Sequence, residues 1–165
     1  MVSRGTMSDS SMVVSDLRDA PHFFDAVADR VWRAWWEPHG FPLEHITGLL
    51  QASLADGAEP LCLVAHAGDR FVGTASVIAS DLEERPDLTP WVAAVWVDPP
   101  FRGAGIGGDI VLKAAQAALD TGAEAVHLCA LSGKRAFYER LGWQLDETDV
   151  GEDRLDVFSM RRVER

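Results

Sequence analysis

The sequence lacks the residues from which disulfide frameworks and metal clusters are built. Only two cysteines occur among 165 residues, and neither Cys62 nor Cys129 stands at a metal-ligand spacing or in a Cys-His pattern. Both lie in apolar runs, so we expect small core residues of a reducing compartment. The sequence therefore predicts a cytoplasmic protein with no metal. A catalytic cysteine is the alternative interpretation of either thiol.

Positive charge is also scarce. The chain has 15 Lys and Arg against 26 Asp and Glu, a formal net charge of −11, and no basic cluster is longer than Arg161-Arg162. Nucleic-acid binding depends on many Lys and Arg contacts to phosphates, so we predict that nucleic acid is not a partner. The acidity favours a cationic small-molecule substrate, although acidic surfaces mostly serve solubility.

Long apolar stretches are missing. No run reaches the roughly 18 residues of a membrane-spanning helix, so no membrane span is predicted. The segment Met1 to Ser11 is rich in Ser, Gly and Thr but lacks the apolar centre of a secretory signal. We expect residues 1–11 to form a disordered tail, with Met7 as an alternative start, and residues 12–165 to form a single domain.

Hydrophobic periodicity, broken by glycine and proline, predicts alternating strands and helices. The predicted order is β, α, α, β, β, β, α, β, α, β, β. The predicted strands cover residues 13–17, 61–66, 71–79, 91–97, 125–131, 143–148 and 155–160, and the predicted helices cover about residues 20–36, 42–56, 106–121 and 134–141.

A buried strand followed by a glycine cluster is the most informative segment. Trp91 to Val97 is almost continuously apolar, a proline pair ends it, and four glycines then open a helical pattern. Backbone N–H groups at a helix start bind anions, and glycine lets a phosphate approach them closely. The segment Gly103 to Gly108 contains a literal G-x-G-x-x-G. A dinucleotide site does not fit, because residues 98–102 intervene and the next strand ends without a carboxylate.

The pattern Arg102-x-x-Gly105-x-Gly107, preceded by Val97-x-Pro99, resembles the CoA-binding loop of the GNAT superfamily of acyl-CoA-dependent N-acyltransferases. The segment 136–143, Ala-Phe-Tyr-Glu-Arg-Leu-Gly-Trp, is similar to a second motif of that family. The resemblance covers about residues 13–160. It implies a mixed α/β fold whose central, mostly antiparallel sheet opens between two diverging strands to admit the CoA arm.

The resemblance also implies an activity and roles for individual residues. Acetyl-CoA would be the cosubstrate, and its acetyl group would pass to a primary amine by direct attack. The pantetheine arm would lie beside Val95 and Val97. Tyr138, the only tyrosine, would protonate the departing thiolate as general acid, since a phenol is protonated at neutral pH. The pyrophosphate would lie on the loop formed by Arg102, Gly103, Ala104, Gly105, Ile106 and Gly107.

The general base is where this chain departs from some members of the family. Those members carry a glutamate on the strand before the glycine loop, but Trp91 to Val97 has no carboxylate. Asp81, Glu83 and Glu84 in the preceding loop are the candidates, directly or through water. Relay of the proton to bulk water is the alternative, and we interpret His127 as a packed or solvated residue. The missing carboxylate supports a second hypothesis, a non-catalytic acyl-CoA-binding or sensor domain.

A second departure lies at the start of the last α-helix. Many members carry an asparagine there that contacts CoA, whereas this chain offers Ser132 and Lys134 for weaker polar or charged contacts. Exposed strands near the carboxyl end would allow a homodimer.

The acceptor site is implied by the loop between the first two helices. In the family this loop forms one wall of the acceptor site, which places Trp36, His39 and Phe41 there. Helical spacing puts Trp32 and Trp36 on one face and Trp35 on another, so one core stripe does not bury all three. Packing of these aromatic residues against the sheet is the alternative.

Overall fold

The computed structural model describes residues 12–163, and the predicted order of elements is confirmed. The prediction of a tail over residues 1–11 lies outside the described residues. The strands are β1 (Met12–Asp16), β2 (Leu61–Ala67), β3 (Arg70–Ile78), β4 (Trp91–Val97), β5 (Ala125–Ala130), β6 (Gln144–Val150) and β7 (Leu155–Arg161). The helices are α1 (Phe24–Val31), α2 (Leu43–Gln51), α3 (Ile106–Asp120) and α4 (Arg135–Arg140).

The strands form one seven-stranded sheet in the order β1-β2-β3-β4-β5-β7-β6. Every neighbouring pair is antiparallel except β4 and β5, which are parallel. The mixed α/β fold with a mostly antiparallel sheet is therefore confirmed. β1 and β6 form the two edges of this sheet.

The sheet opens between its two parallel strands. Trp91 and His127 are the one residue pair that joins β4 to β5, whereas β5 pairs with β7 from Ala125 to Ala130. The register of β4 against β3 shifts between Thr74 and Ser76, and Ala94 has a positive φ of 54°. Such a bulge bends and twists the strand that carries it, so β4 turns away from β5 beyond Trp91.

Both faces of the sheet are covered. One face packs against α3 and α4 through a cluster that includes Val92, Ile110, Leu128 and Phe158. On the other face, Val27 of α1 packs with Phe23 and with Val64 of β2. The loop of residues 79–90 covers a further cluster around Trp91, which is fully buried and donates from its indole nitrogen to the carbonyl of Leu88 at 2.6 Å. The elements that border the opening are thus held from both sides.

The first helix continues past its α-helical part. Residues 32–36 are π-helical, residues 37–39 form a short 3-10 turn, and Gly40 ends the segment in the left-handed conformation. Pro38 and Gly40 account for this end, because proline lacks an amide donor and glycine accepts a positive φ. Within residues 12–163, no helix is long and apolar enough to cross a membrane.

Candidate active site

The glycine loop presents unpaired amides at the start of α3. Gly103 and Gly105 have φ angles of +88° and +82°, a conformation that residues with a side chain rarely adopt. No side chain caps the helix, and the first helical bond runs from the amide of Asp109 to the carbonyl of Gly105 at 3.1 Å. The amides of Ile106 and Gly107 therefore remain available to an anion. Together with the positive end of the helix dipole, they give this loop a geometry that can accept an anion.

Arg102 holds this loop against the end of β4. Its Nε donates to the carbonyl of Val97 at 2.7 Å, and its guanidinium stacks on the ring of Trp96 at 4.6 Å. Its own amide already donates to the carbonyl of Pro99 at 3.2 Å. Arg102 therefore offers positive charge beside the loop, whereas the free amides come from the residues after it. Gly107 lies next to β4, since a Cβ there would meet Val97 Cγ2 at an ordinary 3.5 Å.

The opposite edge of β4 is open. Val95 and Val97 are half-buried, and neither residue pairs with β5, because the pairing of the two strands is confined to Trp91 and His127. The Val97 carbonyl already accepts from Arg102 Nε, and the remaining backbone N–H and C=O groups on this edge can pair with an extended ligand. The open edge lies directly before the glycine loop in the chain.

Tyr138 lies on α4, under the sheet. The side chain is 8% exposed, and its ring packs against Phe158 of β7 with centroids 5.5 Å apart. Burial raises the pKa of the phenol, and the neighbouring thiol of Cys129 on β5 raises it further. The hydroxyl group is consequently protonated at neutral pH, as a proton donor must be.

Asp81 lies beside Cys129 of β5, the strand that borders the opening. The Cys129 thiol donates to Asp81 Oδ2 at 3.5 Å. Solvent reaches Asp81, yet protein atoms crowd its carboxyl group, and this burial raises the pKa of Asp81 from 3.8 to about 6. Such a carboxylate binds a proton more readily than an ordinary aspartate near neutral pH.

The cysteines differ from each other. Cys62 is fully buried, as expected, whereas Cys129 is partly buried and packs against the cluster around Trp91. The sequence pattern placed both in apolar strands, and Cys129 faces the edge of a cluster next to Asp81. Burial and the nearby Asp81 charge raise the pKa of Cys129 to about 12. A protonated thiol is a poor nucleophile, so the geometry disfavours a catalytic cysteine.

The other candidate bases point elsewhere. Glu83 is exposed, and Glu84 extends over the β6–β7 turn, where a Cβ on Gly151 would lie 2.9 Å from Glu84 Oε2. His127 packs against Trp91 with ring centroids 5.6 Å apart, and burial lowers its pKa. Of these side chains, the structure brings Asp81 to the strand that borders the opening.

An aromatic cluster forms at the turn between α1 and α2. Trp36 meets Phe41 edge-on, with ring centroids 5.1 Å apart, and His45 packs 4.8 Å from each of the two rings. His39 is exposed in the short turn beside them. Trp35 faces the other way and meets Trp96 of β4 edge-on, at 6.4 Å between ring centroids. The turn is thus linked to β4 through Trp35, which is itself 40% exposed, whereas Trp36 is partly buried.

The start of α4 is held by an ion pair that the sequence did not reveal. Arg135 donates to both carboxylate oxygens of Asp156, through Nε at 2.8 Å and a terminal nitrogen at 2.9 Å. Ser132 and Lys134, just before it, are exposed. His45 and the bulge at Ala94 also escaped the sequence analysis, since alanine carries no signal for a positive φ. No cluster that could hold a metal ion occurs in residues 12–163.

Comparisons with known proteins agree with this architecture. Residues 58–145, just over half of the chain, match the family model for the acetyltransferase (GNAT) domain. No curated protein matches the sequence.

Solved structures share the fold at low sequence identity. An aminoglycoside 6'-N-acetyltransferase complexed with coenzyme A has a TM-score of 0.70 at 16% identity, covering 93% of this chain and 98% of that one. The yncA protein of Salmonella typhimurium, solved with acetyl-CoA, has a TM-score of 0.67 at 17% identity, covering 93% and 95%. A spermidine/spermine N-acetyltransferase of Vibrio cholerae has a TM-score of 0.65 at 13% identity, covering 91% and 94%.

Proposed function

Because this chain belongs to the GNAT acetyltransferase family, we propose that it transfers an acetyl group from acetyl-CoA to a primary amine by direct attack of the amine on the thioester. The observation that carries the proposal is the parting of β4 from β5 beyond Trp91, immediately before a loop of free amides. An open strand edge that is followed directly by a loop of free amides fits a ligand with an extended arm and a pyrophosphate.

The residues present fit acetyl-CoA, whose chemical contribution is an activated acetyl thioester. The loop Gly103 to Gly107 would hold the pyrophosphate through its free amides, with the positive charge of Arg102 beside it. The open backbone of β4 at Val95 and Val97 would align the arm, as an added strand does. Holding two reactants in a fixed orientation lowers the activation barrier, and in well-oriented systems this contribution reaches several kcal/mol.

We assign Tyr138 as the general acid. It donates a proton to the sulfur as the carbon–sulfur bond breaks. A phenol whose pKa is raised by burial keeps its proton at neutral pH, so the proton is present when negative charge develops on the sulfur.

We assign Asp81 as the general base in preference to Glu83 or Glu84. It accepts the proton that the amine nitrogen loses while the new carbon–nitrogen bond forms. Its pKa of about 6 leaves it ionised at neutral pH but closer to the working pH than an ordinary aspartate. The position beside Cys129 on β5 supports this choice, because β5 borders the opening.

We propose that the acceptor is a cationic small-molecule amine that enters beside the turn between α1 and α2. Trp36, Phe41 and His45 offer aromatic faces there, which attract cations and apolar groups alike. The formal net charge of −11 favours the approach of cations. Two relatives of the same fold, named for aminoglycosides and for spermidine and spermine, act on amines of this kind.

The experiment that tests the proposal measures free thiol released from acetyl-CoA across a panel of amines that includes polyamines, aminoglycosides, amino acids and peptide amino termini. We expect release above the amine-free background with at least one cationic amine, together with the acetylated product by mass spectrometry. Binding of acetyl-CoA without thiol release across the panel would instead support the non-catalytic acyl-CoA-binding or sensor domain. Failure to bind acetyl-CoA would refute both functions.

A further inference from the structure

The ion pair between Arg135 and Asp156 is unusual for this chain in its burial. The side chain of Asp156 is 1% exposed, whereas that of Arg135 is 40% exposed. Both carboxylate oxygens receive a hydrogen bond from the same guanidinium group. Asp156 is buried whereas Arg135 reaches solvent, so the cost of removing the Asp156 charge from water offsets much of the attraction within the pair. Its two parallel hydrogen bonds do, however, fix the orientation of the groups that they join.

The pair fixes one end of α4, a helix that is too short to be stable on its own. The helix α4 has six residues, from Arg135 to Arg140, and an isolated helix of that length is unstable in water. Its orientation is therefore set by what it packs against. The pair attaches its first residue to β7, within the sheet.

The same strand also holds Tyr138. Asp156 and Phe158 are two residues apart on β7, so their side chains lie on the same face. Arg135 and Tyr138 are three residues apart on α4 and therefore share one side of the helix. β7 therefore contacts α4 at two places. Asp156 accepts from Arg135, and the Phe158 ring packs against the Tyr138 ring with centroids 5.5 Å apart. Two contacts at different points fix the rotation of the helix about its axis, whereas a single contact would leave that rotation free.

We propose that the Arg135–Asp156 ion pair is a positioning device that sets the orientation of α4 and, through it, the position of the Tyr138 phenol. The proposal rests on the proposed function in so far as Tyr138 is the general acid. Neither Arg135 nor Asp156 transfers a proton itself. Loosening the first turn of α4 moves the hydroxyl group, and a displacement of about 1 Å at a reacting group costs on the order of a hundredfold in rate.

The direct test observes Tyr138 without using activity. Tyr138 is the only tyrosine in the chain, so isotope-labelled tyrosine gives one set of ring signals whose shift and pH titration report its surroundings. The variants are Arg135→Gln and, because a lone buried carboxylate is destabilising, the double replacement Arg135→Met with Asp156→Leu, which removes both charges. We expect both the ring signals and the phenol titration to move towards those of an exposed tyrosine.

The matched control is Arg18→Gln. Arg18 makes a similar two-oxygen contact with Asp16, with side chains 24% and 26% exposed, at the end of the edge strand β1. We expect this variant to lose thermal stability and to leave the Tyr138 signals in place. Unmoved Tyr138 signals in the folded double variant would overturn the positioning role.

A double-mutant cycle then tests the link to catalysis. We expect the double replacement to lower kcat by about tenfold or more while the KM for acetyl-CoA changes little, and to have no further effect in a Tyr138→Phe background, because coupled residues are not additive. Independent losses that multiply would overturn the proposal. If Tyr138→Phe alone leaves kcat unchanged, the assignment of the general acid fails, and the ring signals still decide the positioning role.

Discussion

Replacing Asp81 with asparagine tests both its proposed role as general base and the effect of its raised pKa on stability. Asparagine keeps the size of the side chain and an acceptor for the Cys129 thiol, but it takes up no proton. General bases contribute roughly a hundredfold to ten-thousandfold in rate, so we expect Asp81→Asn to lower kcat by at least about a hundredfold. In the wild-type protein, kcat/KM should rise with pH as Asp81 of the free enzyme ionises, with a midpoint near its pKa of about 6. The variant should lose this rise.

The same substitution should raise stability. The folded state raises the pKa of Asp81 from 3.8 to about 6, so the unfolded chain releases this proton at a lower pH than the folded one. The favourable contribution of protonated Asp81 is complete below pH 3.8 and is lost as the pH rises to about 6. Asparagine has no charge to bury. Thermal unfolding should therefore show a higher Tm for Asp81→Asn above about pH 6, with the difference shrinking towards pH 3.8.

The controls are Glu83→Gln and Glu84→Gln, which remove the neighbouring carboxylates. Both should retain wild-type kcat and the wild-type pH dependence of kcat/KM, since the Cys129 thiol donates to Asp81 and to neither of these carboxylates. Full turnover of Asp81→Asn with the low-pH rise intact would refute the base assignment and favour relay of the proton to water. Loss of turnover in Glu84→Gln alone would transfer the role to Glu84.

Three further substitutions, one of them with a matched control, test the rest of the site and the fold. Tyr138→Phe should lower kcat by roughly a hundredfold or more with the Kd for acetyl-CoA nearly unchanged; equal turnover would remove the acid role. Gly105→Glu should abolish acetyl-CoA binding in calorimetry, because it adds charge and strain at a φ of +82°, whereas Gly107→Ala should bind normally; retained binding by Gly105→Glu would show that the loop is misassigned. Gly73→Ala should lower the free energy of unfolding by about 1–3 kcal/mol, since its Cβ would lie 2.6 Å from the carbonyl oxygen of Trp96; an unchanged denaturation midpoint would contradict this packing.

Local features of the sequence were sufficient for the order of elements and for the anion loop. The apolar run from Trp91 to Val97 and the glycines after it act through the backbone preferences of the residues themselves. The helix end at Gly40 has the same kind of cause, because a left-handed cap depends on a single residue. These features need no knowledge of what lies across the sheet.

The sequence by itself therefore determined the fold class, the glycine loop and the candidate phenol at Tyr138. Only the tertiary structure distinguishes the surroundings of Asp81 from those of Glu83 and Glu84, because a carboxyl pKa depends on the atoms that surround it, and Cys129 lies 48 residues away along the chain. It also decided the partner of Arg135, 21 residues away on β7. Burial and long-range pairing are properties of the folded chain as a whole, so no local pattern of residue types encodes them.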